Sequence, residues 1–307
     1  TANGRSLTVN GNIAKEATAG FYAEYPDQNT LLNGTNEATV SGNFNGSTDN
    51  RFNNLVVSKN TTFAGPVDVR KYLTLENNSV VFTSQTNLLR LTNASYGLGT
   101  ISAGSYVEGP LSINKTNGTS QDFPVGRNGR KKITSFLSVN HGAGENYWTA
   151  EYYNTNLGSG YYGASNFDAP ITNVSLSEYW VLKGPVGATA TLRFTLTGTS
   201  DVAAALGNAN LSKLRVVRWN PSTSKWEIVG SNVSITGTVT NGTVTTTSSV
   251  TFDGTNQYFT LASVQLIVAP TAHITSTNAN ICEGSSYNLT IELTGNAPWT
   301  ISYTDGT

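Results

Sequence analysis

The sequence predicts an all-β chain: a parallel β-helix fragment over residues 1–112, an antiparallel β-sandwich over 113–270, and the opening strands of a further β unit over 271–307. Three observations carry this. Thr, Ser, Asn, Gly and Val dominate and only 12% of residues are charged, which is strand-and-turn chemistry. Short apolar triplets recur at a near-constant step in the first third. Beyond residue 123 the strands lengthen, take up aromatics and alternate, with turn dipeptides such as Asn128-Gly129, Asn220-Pro221, Asn241-Gly242 and Asp253-Gly254 between them.

In the first unit the triplets are Leu7-Thr8-Val9, Ala38-Thr39-Val40, Leu55-Val56-Val57, Leu73-Thr74-Leu75, Leu88 to Leu91 and Tyr106-Val107. With Leu55, Leu73, Leu89 and Val107 taken as equivalent, the steps are 18, 16 and 18 residues. A stacked coil needs such a recurrence, with Leu and Val inward and Asn laddered at the corners. On this reading Leu55, Leu73 and Leu89 lie one above another in successive layers. The competing arrangement is an antiparallel sandwich with evenly spaced strands. Residues 20–27 read as an insertion or an irregular first coil.

The stretch from Ser105 to Arg130 is the joint. Gly109-Pro110 is expected to end the last coil, because proline cannot donate to a central ladder. Phe123 and Val125 are expected to be buried where the two units meet. Strands are then predicted at Ile133 to Val139, Tyr147 to Tyr153, Glu178 to Leu182, Ala190 to Leu196, Leu214 to Trp219, Lys225 to Val229, Thr243 to Phe252 and Tyr258 to Val268. Asp201 to Leu206 is the one helical candidate, with Asp201 as its cap. Trp180, Trp219 and Trp226 are read as core. After Pro270 come two strands, Tyr287 to Leu293 and Trp299 to Tyr303, too few to bury a sandwich core and read as the beginning of an immunoglobulin-like domain.

Charge excludes some functions. Eighteen basic against 19 acidic groups leave a net charge of −1, no footprint for nucleic acid or an anionic membrane. No apolar run approaches the roughly 20 residues of a bilayer span, so no membrane insertion is expected. There is no Met, and the chain reads as a piece of a longer precursor whose export signal lies elsewhere or has been removed. The single cysteine, Cys282, is expected to be a buried strand-end thiol or half of a disulfide with a partner beyond Thr307.

Four stretches carry a resemblance: Tyr106-Val107-Glu108-Gly109-Pro110-Leu111; Phe123-Pro124-Val125-Gly126; Glu178-Tyr179-Trp180 with Trp219-Asn220 and Trp226; and Tyr258 to Ser263. Together they resemble a module of very large surface adhesins of Bacteroidetes bacteria. The tail from Ile281-Cys282-Glu283-Gly284-Ser285 to Gly306 is similar to the first half of the repeat that such proteins carry in arrays. The resemblance implies an extracellular, cell-surface location, export by the type IX secretion route, and adhesion or gliding motility. It implies as partners the neighbouring domains of the same giant chain, surface polysaccharide, or the secretion and motility machinery.

Little in the sequence carries catalytic chemistry. Asp68, Arg70, Lys71 and Glu76 are close together but lack the Asp-x-Asp pair and general base of a polysaccharide-cleaving coil. His141, His273 and Cys282 have no companions at metal-ligand spacing, so no cofactor and no metal is expected. The binding candidates are Tyr152, Tyr161 and Tyr162, whose rings suit a pyranose face, and Arg127 and Arg130 from the basic run Arg127, Arg130, Lys131 and Lys132. The resulting expectation is a structural and adhesive segment of a giant bacterial surface protein, not an enzyme. The alternatives are a secreted polysaccharide-active β-helix enzyme, or a carbohydrate-binding module of one.

Overall fold

Leu55 pairs with Leu73, and Val57 with Leu75, in parallel register, so the first third of the chain does stack strand on strand. The computed structural model describes residues 6–17, 19–22, 28–46, 50–265, 271–276, 282, 284–294 and 299–302. Among them the protein is nearly all-β: a parallel β-helix followed by antiparallel sheets.

The coils lay down strands on three faces, two of them five strands deep and the third three. The first face comprises Leu7–Val9, Asn29–Leu32, Asn54–Val57, Tyr72–Leu75 and Gly97–Ile101, all parallel. The second comprises Ile13–Ala14, Ala38–Ser41, Thr61–Ala64, Val80–Phe82 and Tyr106–Glu108. The third comprises Val67–Val69, Leu89–Leu91 and Leu111–Asn114. Inward residues repeat down each ladder: Leu32, Val57 and Leu75 on the first face; Val81 and Val107 on the second; Val69, Leu91 and Ile113 on the third, all essentially unexposed. Continuous apolar ladders bury their area without strict alternation along each strand.

The expected stack of Leu55, Leu73 and Leu89 is half right. Leu89 belongs to the third face, between Val67 and Leu111, and Val107 to the second, between Val81 and Val125. Same-face partners are 18 or 25 residues apart on the first face (Thr30, Leu55, Leu73, Leu98) and 22 apart on the third (Val67, Leu89, Leu111). The 16-residue step joined two different faces. All three faces carry the same short Leu/Val pattern, and the corners between them vary from two residues (65–66) to six (83–88).

Corners are tied by side chains. Asn60 Oδ1 accepts from Val80 N (2.9 Å), Asn12 Oδ1 from Thr39 N (2.8 Å) and Asn78 Oδ1 from Gly104 N (3.2 Å), so corner asparagines bond the coil above. Gly109-Pro110 does not end the last coil. It turns the corner from Tyr106–Glu108 to Leu111–Asn114, with Gly109 at φ 117° and its Cα packed so closely that an added Cβ would lie 2.4 Å from the Thr83 carbonyl oxygen.

The transition to the sandwich breaks neither of two ladders. Val107 on the second face pairs parallel with Val125 of Gln121–Arg127, which then pairs antiparallel with Arg130–Asn140. Leu111–Asn114 on the third face pairs antiparallel with Tyr147–Tyr153. Two faces of the coil thereby become the two sheets of the sandwich, while the first face stops at Gly97–Ile101. One sheet continues through Thr189–Thr197, Asn241–Thr246 and Val233–Gly237; the other through Tyr179–Lys183, Gln257–Val264, Leu214–Asn220 and Lys225–Ile228. Phe123 and Val125 are fully buried at this junction, and the Phe123 ring meets Phe136 edge-on at 5.2 Å. One apolar core runs from Leu32 through Phe123, Trp148 and Trp180 to Leu261.

Asp201–Leu206 is a helix, but Asp201 is not its cap. Its carboxylate accepts from Ser175 Oγ and Leu176 N across the structure. Trp180 and Trp226 are core, while Trp219 is only half-buried. The strand predicted from Thr243 to Phe252 is two, Asn241–Thr246 and Val250–Thr251, and Ile171–Val174 and Val233–Gly237 are additional. In the tail, Ile291–Leu293 pairs antiparallel with Ala272–Ile274, and residues 299–302 form no strand. Residues 23–27, part of the stretch read as an insertion, and residues 266–268 and 303 at the predicted strand ends lie outside the described residues.

Candidate functional site

Strand parity sets which aromatic rings face outward on the second sheet. In Tyr147–Tyr153, Trp148, Ala150 and Tyr152 turn into the sandwich, so Tyr153 turns out. Phe259 and Leu261 turn in, so Tyr258 turns out. Leu214 and Val216 turn in, so Trp219 turns out. Tyr153 and Tyr179 are direct cross-strand partners and stack at 4.6 Å with their planes 4° apart. Tyr179 meets Tyr258 at 6.2 Å, Tyr258 meets Tyr161 at 6.4 Å, and Tyr161 meets Trp219 at 4.6 Å. The result is an aromatic row crossing the strands of one sheet.

Tyr161 reaches this row from a single turn of 3₁₀ helix, Ser159–Tyr161, in the connection from Tyr153 to Ile171. That connection is pinned. Trp226 Nε1 donates to the Tyr161 carbonyl (2.8 Å), Leu157 N to the Tyr162 hydroxyl (3.1 Å) and Asn166 Nδ2 to the Ser224 carbonyl (2.9 Å). Lys225 bridges to Asp168 at 2.6 Å. Beneath it lies a second small core of Ile171, Val174, Val217, Trp226, Ala262 and Val264.

Where Tyr161, Trp219 and Tyr258 converge, an open cleft of about 490 Å³ is also lined by Arg218, Asn220 to Ser222, Thr251 to Asp253 and Thr255 to Gln257. Asp253 is exposed, with Oδ1 accepting from Thr255 N (2.9 Å) and Thr255 Oγ1 (2.7 Å). Those bonds hold its carboxyl below the usual carboxylate range, so it is ionised and an acceptor at neutral pH. Arg218 donates from Nη1 to the Thr251 carbonyl at 3.2 Å.

Compared with models of known families, with curated proteins and with solved structures, the chain matches none.

The five sequence-predicted binding residues meet different fates. Tyr161 lines the cleft. Tyr162 packs half-buried against Trp226 in the second core, rings 6.3 Å apart. Tyr152 is fully buried and points into the sandwich, so it presents no face to a sugar. Arg127 is committed to Glu151 (3.0 Å) and lies 4.1 Å over the Tyr153 ring, closing one end of the aromatic row. Arg130 is exposed in the Asn128-Gly129 hairpin. The basic run is not a patch: Lys131 donates to the Ser102 and Ala103 carbonyls, and Lys132 points into the core. Trp219, Tyr258, Arg218 and Asp253 were not foreseen as a site, although the parity of their strands already set the two rings outward.

Lys132 and Glu178 form a fully buried ion pair at 2.8 Å. Lys132 Nζ also donates to Ser200 Oγ (2.7 Å), and the Tyr152 hydroxyl donates to Glu178 Oε2 (3.2 Å). Burial pulls the Lys132 ammonium below its ordinary range against the attraction of Glu178, and burial pushes the Tyr152 phenol well up. In the coil, Asp68 is paired in two-pronged fashion to Arg90 (2.8 and 2.7 Å), and burial raises its carboxyl despite that arginine. Glu76 accepts from Ser58 Oγ at 2.8 Å and follows a first-face strand, whereas Asp68 sits on the third face. The acidic and basic groups of residues 68–76 therefore do not converge on one groove. Cys282 is exposed and its thiol free, contrary to the buried reading. Among the described residues, no group of three or more His, Cys, Asp or Glu is placed to hold a metal, and no helix is long and apolar enough to cross a membrane.

Proposed function

We propose that this chain is a structural and adhesive segment of a very large bacterial cell-surface protein, of the kind used in attachment or gliding. The observation that carries the reading is the unbroken passage of two ladders and one core from coil to sandwich. A joint made of paired backbone and buried aromatics has no flexible linker to act as a hinge, which suits a spacer that holds a binding surface away from its anchor. The charged side chains support a non-catalytic role: Asp68, Glu76, Glu151 and Glu178 are each held by a neighbouring side chain. A catalytic pocket needs titratable groups converging with divergent pKa values. The resemblance of the motifs at 106–111, 123–126, 178–180, 219–226 and 258–263, and of the tail 281–306, to Bacteroidetes adhesin modules suggests the biological setting: type IX export, with surface polysaccharide or the secretion and motility machinery as partners. The test has two arms. Deleting the segment from its parent protein is expected to weaken attachment or surface movement while leaving polymer degradation intact. Incubating the purified chain with acidic and neutral polysaccharides is expected to release no new reducing or unsaturated ends. Cleavage that vanishes on Asp68→Asn would overturn the proposal in favour of an enzyme.

A further inference from the structure

We propose that the cleft between Tyr161, Trp219 and Tyr258 is a binding site for a neutral pyranose, within an uncharged oligo- or polysaccharide. Its volume of about 490 Å³ falls in the ~300–1,000 Å³ range of small-ligand sites. Two half-buried rings, Tyr161 and Trp219, stand 4.6 Å apart at 55°, forming an angled wall with Tyr258 beside it. An angled aromatic wall offers π-faces to the axial C–H face of a sugar ring while leaving its equatorial hydroxyls to the rest of the cleft. Apart from Pro221 and Phe252, the rest of the lining is polar. Hydroxyl groups both donate and accept, so their recognition calls for both kinds of partner within one site. The ionised Asp253 is an acceptor whose Oδ1 is already oriented by Thr255, and Arg218 is a donor that its bond to the Thr251 carbonyl holds in place.

Charge decides the ligand class. Arg218 and Asp253 are the two ionic residues of the lining, and their charges cancel. A lining without net charge gives a uronate or sulfated sugar no electrostatic advantage, because what Arg218 attracts Asp253 repels, whereas an uncharged hexose uses both partners. The site is also built in advance: Trp226 Nε1 fixes the Tyr161 backbone at 2.8 Å, and the second core lies under the loop that carries it. Little ordering entropy is then lost on binding. The assignment supplies the ligand class for the adhesive reading and rests on that reading only for the claim that binding serves attachment.

The test uses the whole 307-residue chain. Neutral oligosaccharides (β-1,4- and β-1,3-linked glucose hexamers and an α-linked mannose hexamer) and oligogalacturonate are titrated calorimetrically and by tryptophan fluorescence. At least one neutral oligomer is expected to bind. Trp219→Ala and Asp253→Asn are each expected to weaken it about tenfold or more. Tyr72→Phe, on an exposed ring of the coil, is expected to leave binding unchanged. Trp219 also touches Trp226, so the exposed Asp253→Asn variant keeps the test valid if Trp219→Ala is misfolded. No neutral oligomer bound at ~10 mM, binding unaffected by Asp253→Asn, or tighter binding of oligogalacturonate would each overturn the proposal. Normal attachment by a parent protein bearing a dead cleft sinks the link to adhesion but not the site. Loss of attachment on deleting the segment without any sugar binding sinks the site but not the adhesive reading.

Discussion

Removing the ammonium of Lys132 tests whether the sandwich interior depends on a closed polar cluster. Both Lys132 and Glu178 have no exposed side-chain surface, their charged atoms are 2.8 Å apart, and Ser200 and Tyr152 supply the next hydrogen bonds. Each buried ion costs several kcal/mol in lost hydration, and their attraction offsets this only while both are present. Lys132→Met keeps the volume and strands the carboxylate, and is expected to cost about 3–5 kcal/mol. That is a large part of the ~5–15 kcal/mol of a folded domain. Lys132→Met combined with Glu178→Leu removes both charges, leaving the Tyr152 hydroxyl without Glu178 and Ser200 Oγ with only the Thr197 N–H. Adding Tyr152→Phe relieves the larger of those two penalties. The double variant is therefore expected to be more stable than Lys132→Met alone, and the triple variant more stable still. Urea unfolding followed by tryptophan fluorescence reads all three, because Trp180 lies 5.4 Å from Tyr152 within the same core. A cost below about 1 kcal/mol for the single variant, or strict additivity in the double, would show that water reaches the pair and would refute the closed cluster.

Three further outcomes follow from the geometry. Gly109→Ala forces a Cβ to 2.4 Å from the Thr83 carbonyl at φ 117°, so it is expected to cost at least ~1–3 kcal/mol in denaturant unfolding; a neutral result would show that the corner relaxes freely. Burial pushes the Tyr179 phenol up to about 12. The folded state thus holds its proton longer than the unfolded state does, so this contribution to stability is complete below about pH 10 and is lost as pH rises towards 12. Tyr179→Phe should flatten the fall of stability across that window, and an unchanged slope would argue against it. Finally, residues 113–307 expressed alone lose Tyr106–Glu108 and half of Leu111–Asn114, which cover one edge of Gln121–Arg127 and of Tyr147–Tyr153, and should give a poorly dispersed NMR spectrum; sharp, native-like dispersion would show that the sandwich folds unaided.

What the sequence made legible follows from where one face of a strand is buried and the other is not. Tyr147–Tyr153 and Thr189–Thr197 alternate because only one side faces the core, and both strands were found close to their observed bounds. The existence of coils was legible for a related reason: continuous ladders leave short Leu/Val runs separated by Asn and Gly. Which face each run occupied was not, since Leu55 and Leu89 sit in near-identical local patterns on different faces. Asp201 resembled a cap in sequence, yet the cap position is Ser200, and the Asp201 carboxylate accepts from Ser175 and Leu176, 25–26 positions away, as well as from the adjacent Val202 N. The candidate cleft was legible only in part. Tyr161 was singled out as one of an aromatic pair, whereas Trp219 was assigned to the core because tryptophans among Val and Leu usually are. Its placement depends on the partner strand, which brings it opposite Trp226 at the end of the ladder. Asp253, just before Gln257–Val264, and Arg218 come together with it only through pairing of strands whose partners lie 41 to 49 positions apart.

The change from three faces to two accompanies the arrival of tryptophan, all five of which follow residue 122. Inside the coil, three ladders enclose a narrow core filled mostly by Leu and Val, with Phe44, Phe52 and Phe63 buried in its early turns. Once the first face stops at Gly97–Ile101, the other two must close on each other as a sandwich whose sheets stand about 10 Å apart. Leu and Val are too short to fill that gap from both sides, and the inward positions become Phe123, Phe136, Trp148, Trp180 and Phe194. The abandoned first-face edge still presents backbone groups that could template another strand. The protein blunts it with Lys131, whose ammonium takes up the Ser102 and Ala103 carbonyls just beyond that strand. Pro124, lining the groove beside Leu98 and Ile101, has no N–H to offer there. The basic run and the Phe-Pro-Val-Gly motif, which stand together in the sequence, thus serve one physical end: they convert an open coil into a closed two-sheet core without leaving a sticky edge behind.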